Sequence, residues 1–142
     1  MNLDEAKRNL IHHSKSEKNG FFPENATHQN QITNPICGDH VQLKFRVENQ
    51  VIREVGFSAR ACAICTASAS ILCENILDKK IDFVLKLAYL FEESILASSD
   101  SLWAEELNGF ISFQHLRVNP SRRACALLPW IALRSTFKER VQ

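Results

Sequence analysis

The sequence has no strong excess of charge of either sign and no long apolar run. It contains 17 basic and 16 acidic residues, which give a formal net charge of +1. This balance gives no electrostatic reason to expect a nucleic acid or an acidic membrane as partner. No stretch approaches the roughly 18 apolar residues of a membrane span, and residues 1–7 contain acids and no apolar run, unlike a secretory signal. We therefore expect a cytoplasmic protein that binds neither nucleic acid nor membrane.

Glycine and proline are scarce, with four of each, and the chain has no internal repeat and no low-complexity tract. Its composition, 45% apolar and 23% charged, is typical of an ordinary globular domain. A chain of 142 residues can remove about two-thirds of its unfolded surface from water, so a core can form without disulfides. We therefore predict one domain over residues 1–142. The odd number of five cysteines points to metal binding or thiol chemistry in a reducing compartment.

Strict alternation of apolar and polar residues predicts a β-strand over residues 40–48. Asn49-Gln50 then predicts a tight turn, and a second strand begins at Val51. Ile52 and Arg53 disturb the alternation of that second strand. The two strands together predict a hairpin with one covered face. The preceding segment, residues 21–33, is polar and is predicted to run over the surface without regular structure.

Apolar residues at helical spacing predict helices over most of the remaining chain. The predicted ranges are 3–18, 62–77, 81–91 and 120–140, and apolar residues within 92–114 suggest more helix there. Asn19-Gly20 is expected to stop the first helix, and Asn119-Pro120 to cap and begin the last one. Pro129 predicts a kink or an early break in the last helix, because proline removes an intrahelical hydrogen bond.

Four side chains far apart in the sequence can close one four-coordinate metal site: Cys37, Asp39, Cys62 and Cys125. Cys62 follows Cys37 by 25 residues and Cys125 follows Cys62 by 63, and both separations are too long for a compact zinc finger. Such a site needs a whole folded domain to assemble. Cys37 and Asp39 are two apart in an extended segment, so both can face one ion, with Gly38 allowing the bend. A plain turn before the strand is the alternative.

Two of these cysteines have neighbours that favour thiolate. Cys62 lies where strand spacing gives way to helical spacing, and the positive end of a helix dipole favours a deprotonated sulfur. Arg122 precedes Cys125 by three residues and hence shares its helical face, where a guanidinium can stabilise a thiolate. The alternatives are a small buried cysteine at 62 and a solvated arginine at 122, a role that we predict rather for Arg123.

Other reactive or aromatic residues are predicted to be structural. Cys65 forms a Cys-x-x-Cys pair with Cys62 at a helix start, and such a pair can be redox active or offer an alternative ligand. A buried thiol in place of a small hydroxyl is the favoured interpretation of Cys65. Cys73 is predicted to lie in the core. His115 reaches the site only if its segment folds back over it, and Trp103 and Trp130 are predicted to be core or interface aromatics.

Several motifs resemble one known family. The run 34–39, Asn-Pro-Ile-Cys-Gly-Asp, is similar to the Asn-Pro-x-Cys-Gly-Asp motif of the U-type iron–sulfur cluster assembly family, which contains IscU, SufU and the N-terminal domain of NifU. Residues 10–15 and 19–20 resemble its opening helix, and residues 57–70 resemble its second-cysteine segment. Residues 122–130 resemble the third-cysteine motif of the SufU branch. The long gap between Cys62 and Cys125, and Ala124 where the IscU branch has histidine, also favour the SufU branch.

The resemblance implies a fold, a ligand set and partners. It implies an α+β fold, with an antiparallel sheet of about three strands and helices packed on one face. It implies that Cys37, Asp39, Cys62 and Cys125 bind Zn²⁺ or a transient [2Fe-2S] cluster. A cysteine desulfurase of the SufS or IscS kind is the implied sulfur donor, and proteins that accept clusters are the implied downstream partners.

Three functions are consistent with these residues. The first is an assembly protein that accepts persulfide sulfur, at Cys37 or Cys125, and acts as scaffold or carrier for nascent clusters. The second is a zinc-dependent sulfurtransferase that activates the desulfurase and never hosts a cluster. The third treats the ion as a staple of the fold, with Cys62 and Cys65 as a separate thiol switch. A scaffold or carrier is favoured over a true enzyme.

Overall fold

The computed structural model describes residues 1–137 and confirms the α+β architecture. Its elements are α1 (Leu3–Ser14), β1 (His28–Thr33), β2 (His40–Glu48), β3 (Val51–Arg60), α2 (Ala63–Ile76), α3 (Ile81–Leu96), a 3₁₀-helical segment (Glu105–Val118) and α4 (Pro120–Phe137). The predicted extension of the last helix to residue 140 lies outside the described residues. Within residues 1–137, no helix is both long and apolar enough to cross a membrane.

The three strands form one antiparallel sheet in the order β1, β2, β3. Asn49 and Gln50, with φ of 51° and 66°, make the predicted tight turn between β2 and β3, as a two-residue hairpin requires. Val47 pairs with Ile52 and Arg46 pairs with Glu54, so that Arg53 is an extra residue in the ladder. This β-bulge is the physical reason for the disturbed alternation at the start of β3.

The prediction that residues 21–33 lack regular structure is wrong for their second half, because residues 28–33 form the edge strand β1. The polar sequence of this strand carries no apolar alternation. It is ordered by its neighbours: it pairs along its whole length with β2 and packs against α4. Asn30 Nδ2 donates to the Ala132 carbonyl at 3.3 Å, and the His28 ring lies 5.2 Å from that of Phe137.

The core lies between one face of the sheet and the helices. Val41, Leu43 and Phe45 of β2 are fully buried there, and α2 and α4 pack on this side. Small residues on α2 allow α4 to approach closely, and Ser68 Oγ donates to the Ala126 carbonyl at 2.6 Å. The same core continues around Trp130, which the structure confirms as a core aromatic: its ring stacks on a phenylalanine, Phe91, at 4.7 Å. Cys73 is also in the core, as predicted.

Several helix boundaries differ from the predicted ones. The first helix, α1, ends at Ser14 because residues 15–18 are polar and have nothing to bury after Leu10. The further helix expected within 92–114 is present: α3 extends to Leu96, and helical structure resumes with the 3₁₀ segment at Glu105. The early break given as one alternative at Pro129 does not occur, since α4 continues to Phe137.

Residues 19–27 link α1 to β1 across the outer face of the sheet. The chain starts beside β3, where Phe57 donates its N–H to the Asn19 carbonyl at 2.9 Å, and reaches β2 at Thr27, whose N–H donates to the Phe45 carbonyl at 2.8 Å. Gly56 lies under this crossing. A Cβ there would collide with the Phe21 carbonyl oxygen. The absence of a side chain at position 56 therefore lets the linking segment lie against the sheet.

We expect Gly56→Ala to lower the free energy of unfolding by about 1 to 3 kcal/mol, the usual cost of forcing an extra methyl group into a filled space. Denaturant-induced unfolding measures the change. Gly20→Ala is the matched control, since a Cβ at Gly20 meets its nearest atom at 3.4 Å, an ordinary contact. If Gly56→Ala and Gly20→Ala are equally stable, residues 19–27 can move away from the sheet without a loss of stability.

Candidate metal centre

The loop between β1 and β2 is closed by Asn34. Its N–H donates to the Asp39 carbonyl at 2.8 Å, and its own carbonyl accepts from the Gly38 N–H at 2.8 Å. The Asn34 side chain accepts from the Ile36 N–H at 2.9 Å. Gly38 has a φ of 79°, a conformation that favours glycine. These bonds leave Cys37 exposed on the loop, next to Ile36, whose side chain is 94% exposed.

Asp39 lies at the end of this loop and contacts two distant segments of the chain. Its Oδ1 accepts from the Cys62 N–H at 3.3 Å. Its Oδ2 lies 3.8 Å from Cys125 Sγ, which donates to it. One carboxylate therefore faces the second and the third cysteine of the predicted ligand set at the same time.

Cys62 is the N-cap residue of α2, where the sequence predicted a helix start. Its Sγ accepts from the Cys65 N–H at 3.5 Å, the bond that an N-cap side chain makes with the third residue of the helix. The preceding segment belongs to β3, which ends at Arg60. Cys62 is therefore placed between a paired strand and a packed helix.

Cys125 lies in the second turn of α4 and is half-buried. Burial, a hydrogen bond with Cys62 and nearby negative groups raise the pKa of the Cys125 thiol to about 12. Those negative groups are Cys62, Asp39 and Cys37. A bound cation would act in the opposite direction, because it favours the charged form of every group around it.

The donor set suits a tetrahedral thiophilic ion. The ligand atoms of Asp39, Cys62 and Cys125 all lie within 4.8 Å of one another. In a tetrahedral zinc site with bonds of about 2.0 Å to oxygen and 2.3 Å to sulfur, a sulfur and an oxygen ligand lie roughly 3.5 Å apart. The distance of 3.8 Å between Cys125 Sγ and Asp39 Oδ2 is slightly longer than that edge. Two sulfurs and one oxygen are thus gathered for a single ion.

Cys37 stands outside that group of three. It is close enough for its charge to act on Cys125, but its side chain is exposed. Its role as a ligand stays a prediction.

Cys65 lies behind the group and is 0% exposed. Burial raises the pKa of the Cys65 thiol, and four nearby negative groups raise it further: Cys62, Asp39, Cys125 and Cys37. The favoured interpretation of Cys65 as a small buried thiol is therefore correct as regards burial. The groups that raise its pKa beyond the effect of burial are, however, the four residues predicted to bind the metal.

The structure does not place Arg122 on the Cys125 thiol. Arg122 is exposed, and its guanidinium makes no hydrogen bond or ion pair with the described residues, while its N–H donates to Asn119 Oδ1 at 3.2 Å. The prediction that Arg123 is the solvated arginine is wrong: Arg123 is half-buried, and its Nη1 donates to the Arg117 carbonyl at 2.9 Å. Neither guanidinium neutralises the site.

His115 does not fold over the site. Its Nε2 lies 3.3 Å from the Met1 carbonyl, on the side of the 3₁₀ segment that packs against α1. Sequence reasoning did not anticipate the role of Asn34, which closes the loop through both its backbone and its side chain. The Asn-Pro pair was the available signal, because asparagine before proline favours a turn of this kind.

Comparisons with known proteins identify the family of this chain. The model of the NifU-like N-terminal domain family matches residues 5–101. The chain is 30% identical over 113 residues to the iron–sulfur cluster assembly scaffold protein IscU of Streptococcus pyogenes, and the aligned region covers 76% of this chain and 67% of that protein. It is 27% identical over 136 residues to the zinc-dependent sulfurtransferase SufU of Bacillus subtilis, and that aligned region covers 93% of this chain and 89% of the relative.

Solved structures show the same fold. A candidate scaffold protein of the SUF system from Fervidobacterium islandicum superimposes with a TM-score of 0.83 at 30% identity, over 90% of this chain and 93% of that one. A NifU-like N-terminal domain from Brucella abortus gives a TM-score of 0.81 over 97% and 96% of the chains, and at 16% identity it bears on the fold alone. The extent of the family match and the identity to the scaffold protein show that this chain belongs to the NifU-like N-terminal domain family of iron–sulfur cluster assembly proteins.

Proposed function

We propose that this protein accepts sulfur as a persulfide from a cysteine desulfurase and serves as scaffold or carrier for nascent iron–sulfur clusters. The observation that carries the proposal is the gathering of Asp39, Cys62 and Cys125 within 4.8 Å, with the exposed Cys37 on the adjoining loop. Such an arrangement separates two tasks. Three inner groups suit metal binding, and one outer thiol is open to a donor protein.

Cys37 is the better sulfur acceptor of the two cysteines that the sequence left open. A donor persulfide is carried on another protein, so the accepting sulfur must be reachable from outside, and Cys37 is exposed whereas Cys125 is half-buried. Burial and neighbouring charges also raise the pKa of Cys125, which lowers its fraction of thiolate. The exposed apolar side chain of Ile36 beside Cys37 offers a donor protein a contact surface.

The transfer itself is redox-neutral. The Cys37 thiolate attacks the terminal sulfur of the donor persulfide, a new sulfur–sulfur bond forms at Cys37, and the bond within the donor breaks. The donor cysteine leaves as a thiolate, and the proton count is unchanged. The Asn34 hydrogen bonds hold the loop so that Cys37 faces solvent during this attack.

Asp39, Cys62 and Cys125 would hold the resident ion, with Cys37 as the predicted fourth ligand. Zinc suits two or three thiolates and a carboxylate, and when bound it would keep the sulfurs deprotonated. The Cys65 N–H fixes the Cys62 sulfur, and the Cys62 N–H fixes the Asp39 carboxylate. These bonds orient the ligands before any ion arrives.

A [2Fe-2S] cluster would be the cargo of the same site and would pass to downstream acceptor proteins. Oxygen ligation by Asp39 suits a temporary cargo, because a carboxylate is a harder ligand for an iron–sulfur cluster than thiolate is. A carrier must release its cargo, so a labile ligand serves the function.

A zinc-dependent sulfurtransferase that hosts no cluster is the second candidate. Similarity to the B. subtilis SufU over 93% of this chain supports it. Arg122 gives it no support, since the guanidinium makes no contact with Cys125. A metal that serves only as a fold staple is disfavoured by the size of the core, which extends from the sheet to the cluster around Trp130, far beyond the metal group.

Anaerobic purification followed by metal analysis tests the proposal. We expect about one zinc ion, or about two iron ions as a [2Fe-2S] cluster, per chain in the parent protein and little of either in Cys62→Ala or Cys125→Ala, because a site with only two remaining inner ligands binds weakly. Cys73→Ala is the control, since that cysteine is buried in α2 away from the site. Matched iron and acid-labile sulfide support the scaffold, and zinc without sulfide supports the sulfurtransferase. Metal retained equally by all four proteins contradicts both functions.

The acceptor assignment predicts that Cys37→Ala gains no sulfur when incubated with a SufS-type cysteine desulfurase and L-cysteine. Intact-mass spectrometry of the parent should show the addition of one sulfur atom, mapped to Cys37 by peptide analysis. Cys73→Ala should behave as the parent does. A Cys37→Ala protein that gains sulfur as fast as the parent, at Cys125, would overturn the assignment.

The role of Asp39 predicts that Asp39→Cys, reconstituted anaerobically, loses its cluster more slowly than the parent, because four thiolates hold iron more firmly than three and a carboxylate. Decay of the visible absorption in the presence of a chelator measures the rate. Asp82→Cys, on the exposed first turn of α3, controls for an added cysteine. If Asp39→Cys loses its cluster faster than Asp82→Cys does, the Asp39 carboxylate does not make the cluster more labile.

A further inference from the structure

We propose that Cys65 is an interior metal ligand that takes the fourth coordination position when Cys37 leaves it to carry sulfur. This inference deepens the proposed function and rests on it, since it assumes that the site holds an ion. The inference concerns the number of protein ligands around the ion. A closed tetrahedral site needs four ligands, and the structure gathers three: Asp39, Cys62 and Cys125.

Cys37, the predicted fourth ligand, cannot bind the ion and receive sulfur from a donor at the same time. Cys37 is on an exposed loop outside the group of three, where a donor can reach it. While it carries a persulfide, the ion would have only three protein ligands and one position open to water or competing thiols. A second thiol within reach would close that position.

Cys65 is positioned to do so. It is the third residue of α2, and its spacing from Cys62 is that of two ligands in a Cys-x-x-Cys metal site. Side chains on a helix tilt towards its N-terminus, which for Cys65 is the end occupied by Cys62. The Cys65 N–H already reaches the Cys62 sulfur at 3.5 Å. The Cys65 sulfur itself is not in the group of three, so we infer that its side chain turns towards the ion when Cys37 leaves.

The surroundings of Cys65 agree with this position. The Cys65 N–H donates to Cys62 Sγ at 3.5 Å, and the Cys62 N–H donates to Asp39 Oδ1 at 3.3 Å, so Cys65 adjoins the chain of contacts that joins the ligands. Cys73, eight residues further along α2, makes no hydrogen bond with these ligands among residues 1–137. Two cysteines of one helix are equally buried, but only Cys65 lies behind the metal group.

Burial also suits the task. The Cys65 side chain is 0% exposed, so a donor persulfide or an oxidant in solution cannot reach it. A buried ligand such as Cys65 can stay bound while sulfur is transferred, whereas the exposed Cys37 binds and dissociates. On binding, Cys65 acts as the thiolate and its proton passes to water.

Cobalt(II) substitution tests the inference in the full-length protein, because the charge-transfer absorption of Co²⁺ grows with the number of bound thiolates, and X-ray absorption counts the sulfur ligands directly. The variants are Cys37→Ala, Cys37→Ala with Cys65→Ala, and Cys37→Ala with Cys73→Ala. Cys65→Ser in the Cys37→Ala background is a second version of the test, with a side chain close in size, should the alanine variant fold poorly.

We expect three sulfur ligands in the parent and again three in Cys37→Ala, because Cys65 replaces the missing thiolate. Removing Cys65 as well should leave two sulfurs and reduce the charge-transfer intensity by about one third. The variant that lacks Cys37 and Cys73 should keep three. Two sulfurs in Cys37→Ala, unchanged by the further loss of Cys65, would overturn the inference while leaving the proposed function intact. If the parent does not bind cobalt, or binds it equally well after replacement of Cys62 and Cys125, both the proposed function and this inference are wrong.

Discussion

The Asp39 carboxylate holds the candidate centre together. One oxygen accepts the Cys62 N–H at the start of α2, and the other faces Cys125 on α4. Through these two contacts the loop after β1, the junction between β3 and α2, and the last helix meet at one point. The contacts join residues 23 and 86 positions apart in the sequence, so they form only after the sheet and both helices have packed.

That packing gathers acidic groups, and within residues 1–137 no arginine or lysine forms an ion pair with Asp39. Burial and neighbouring acidic groups raise the pKa of both Cys65 and Cys125, and Arg122 of the third-cysteine motif is exposed. A cation is the simplest neutralising partner for such a group. Electrostatics and ligand chemistry therefore point to the same occupant, and the proposed sulfur chemistry begins where that cluster opens to solvent at Cys37.

Much of this could be predicted from the sequence where local pattern and fold agree. The alternation in β2, the turn at Asn49-Gln50 and the cap at Asn119 are local signals, and each was confirmed. The edge strand β1 was missed because its order comes from β2 and α4, which no local pattern records. In the sequence the bulge at Arg53 appeared only as a break in the apolar alternation of β3. Its position became clear only from the pairing of β3 with β2. The family motif indicated the four candidate ligands, but only the fold separates the exposed Cys37 from the three inner groups.

The polar character of β1 has a further consequence for how the molecule meets its neighbours. An edge strand offers unpaired N–H and C=O groups that can pair with a strand of another chain. This one is six residues long, against nine in β2 and ten in β3, and its Asn30 side-chain amide donates to a carbonyl of α4. A short edge covered on one side by α4 is a poor template for strand pairing, so the sheet offers little to a second copy of this chain.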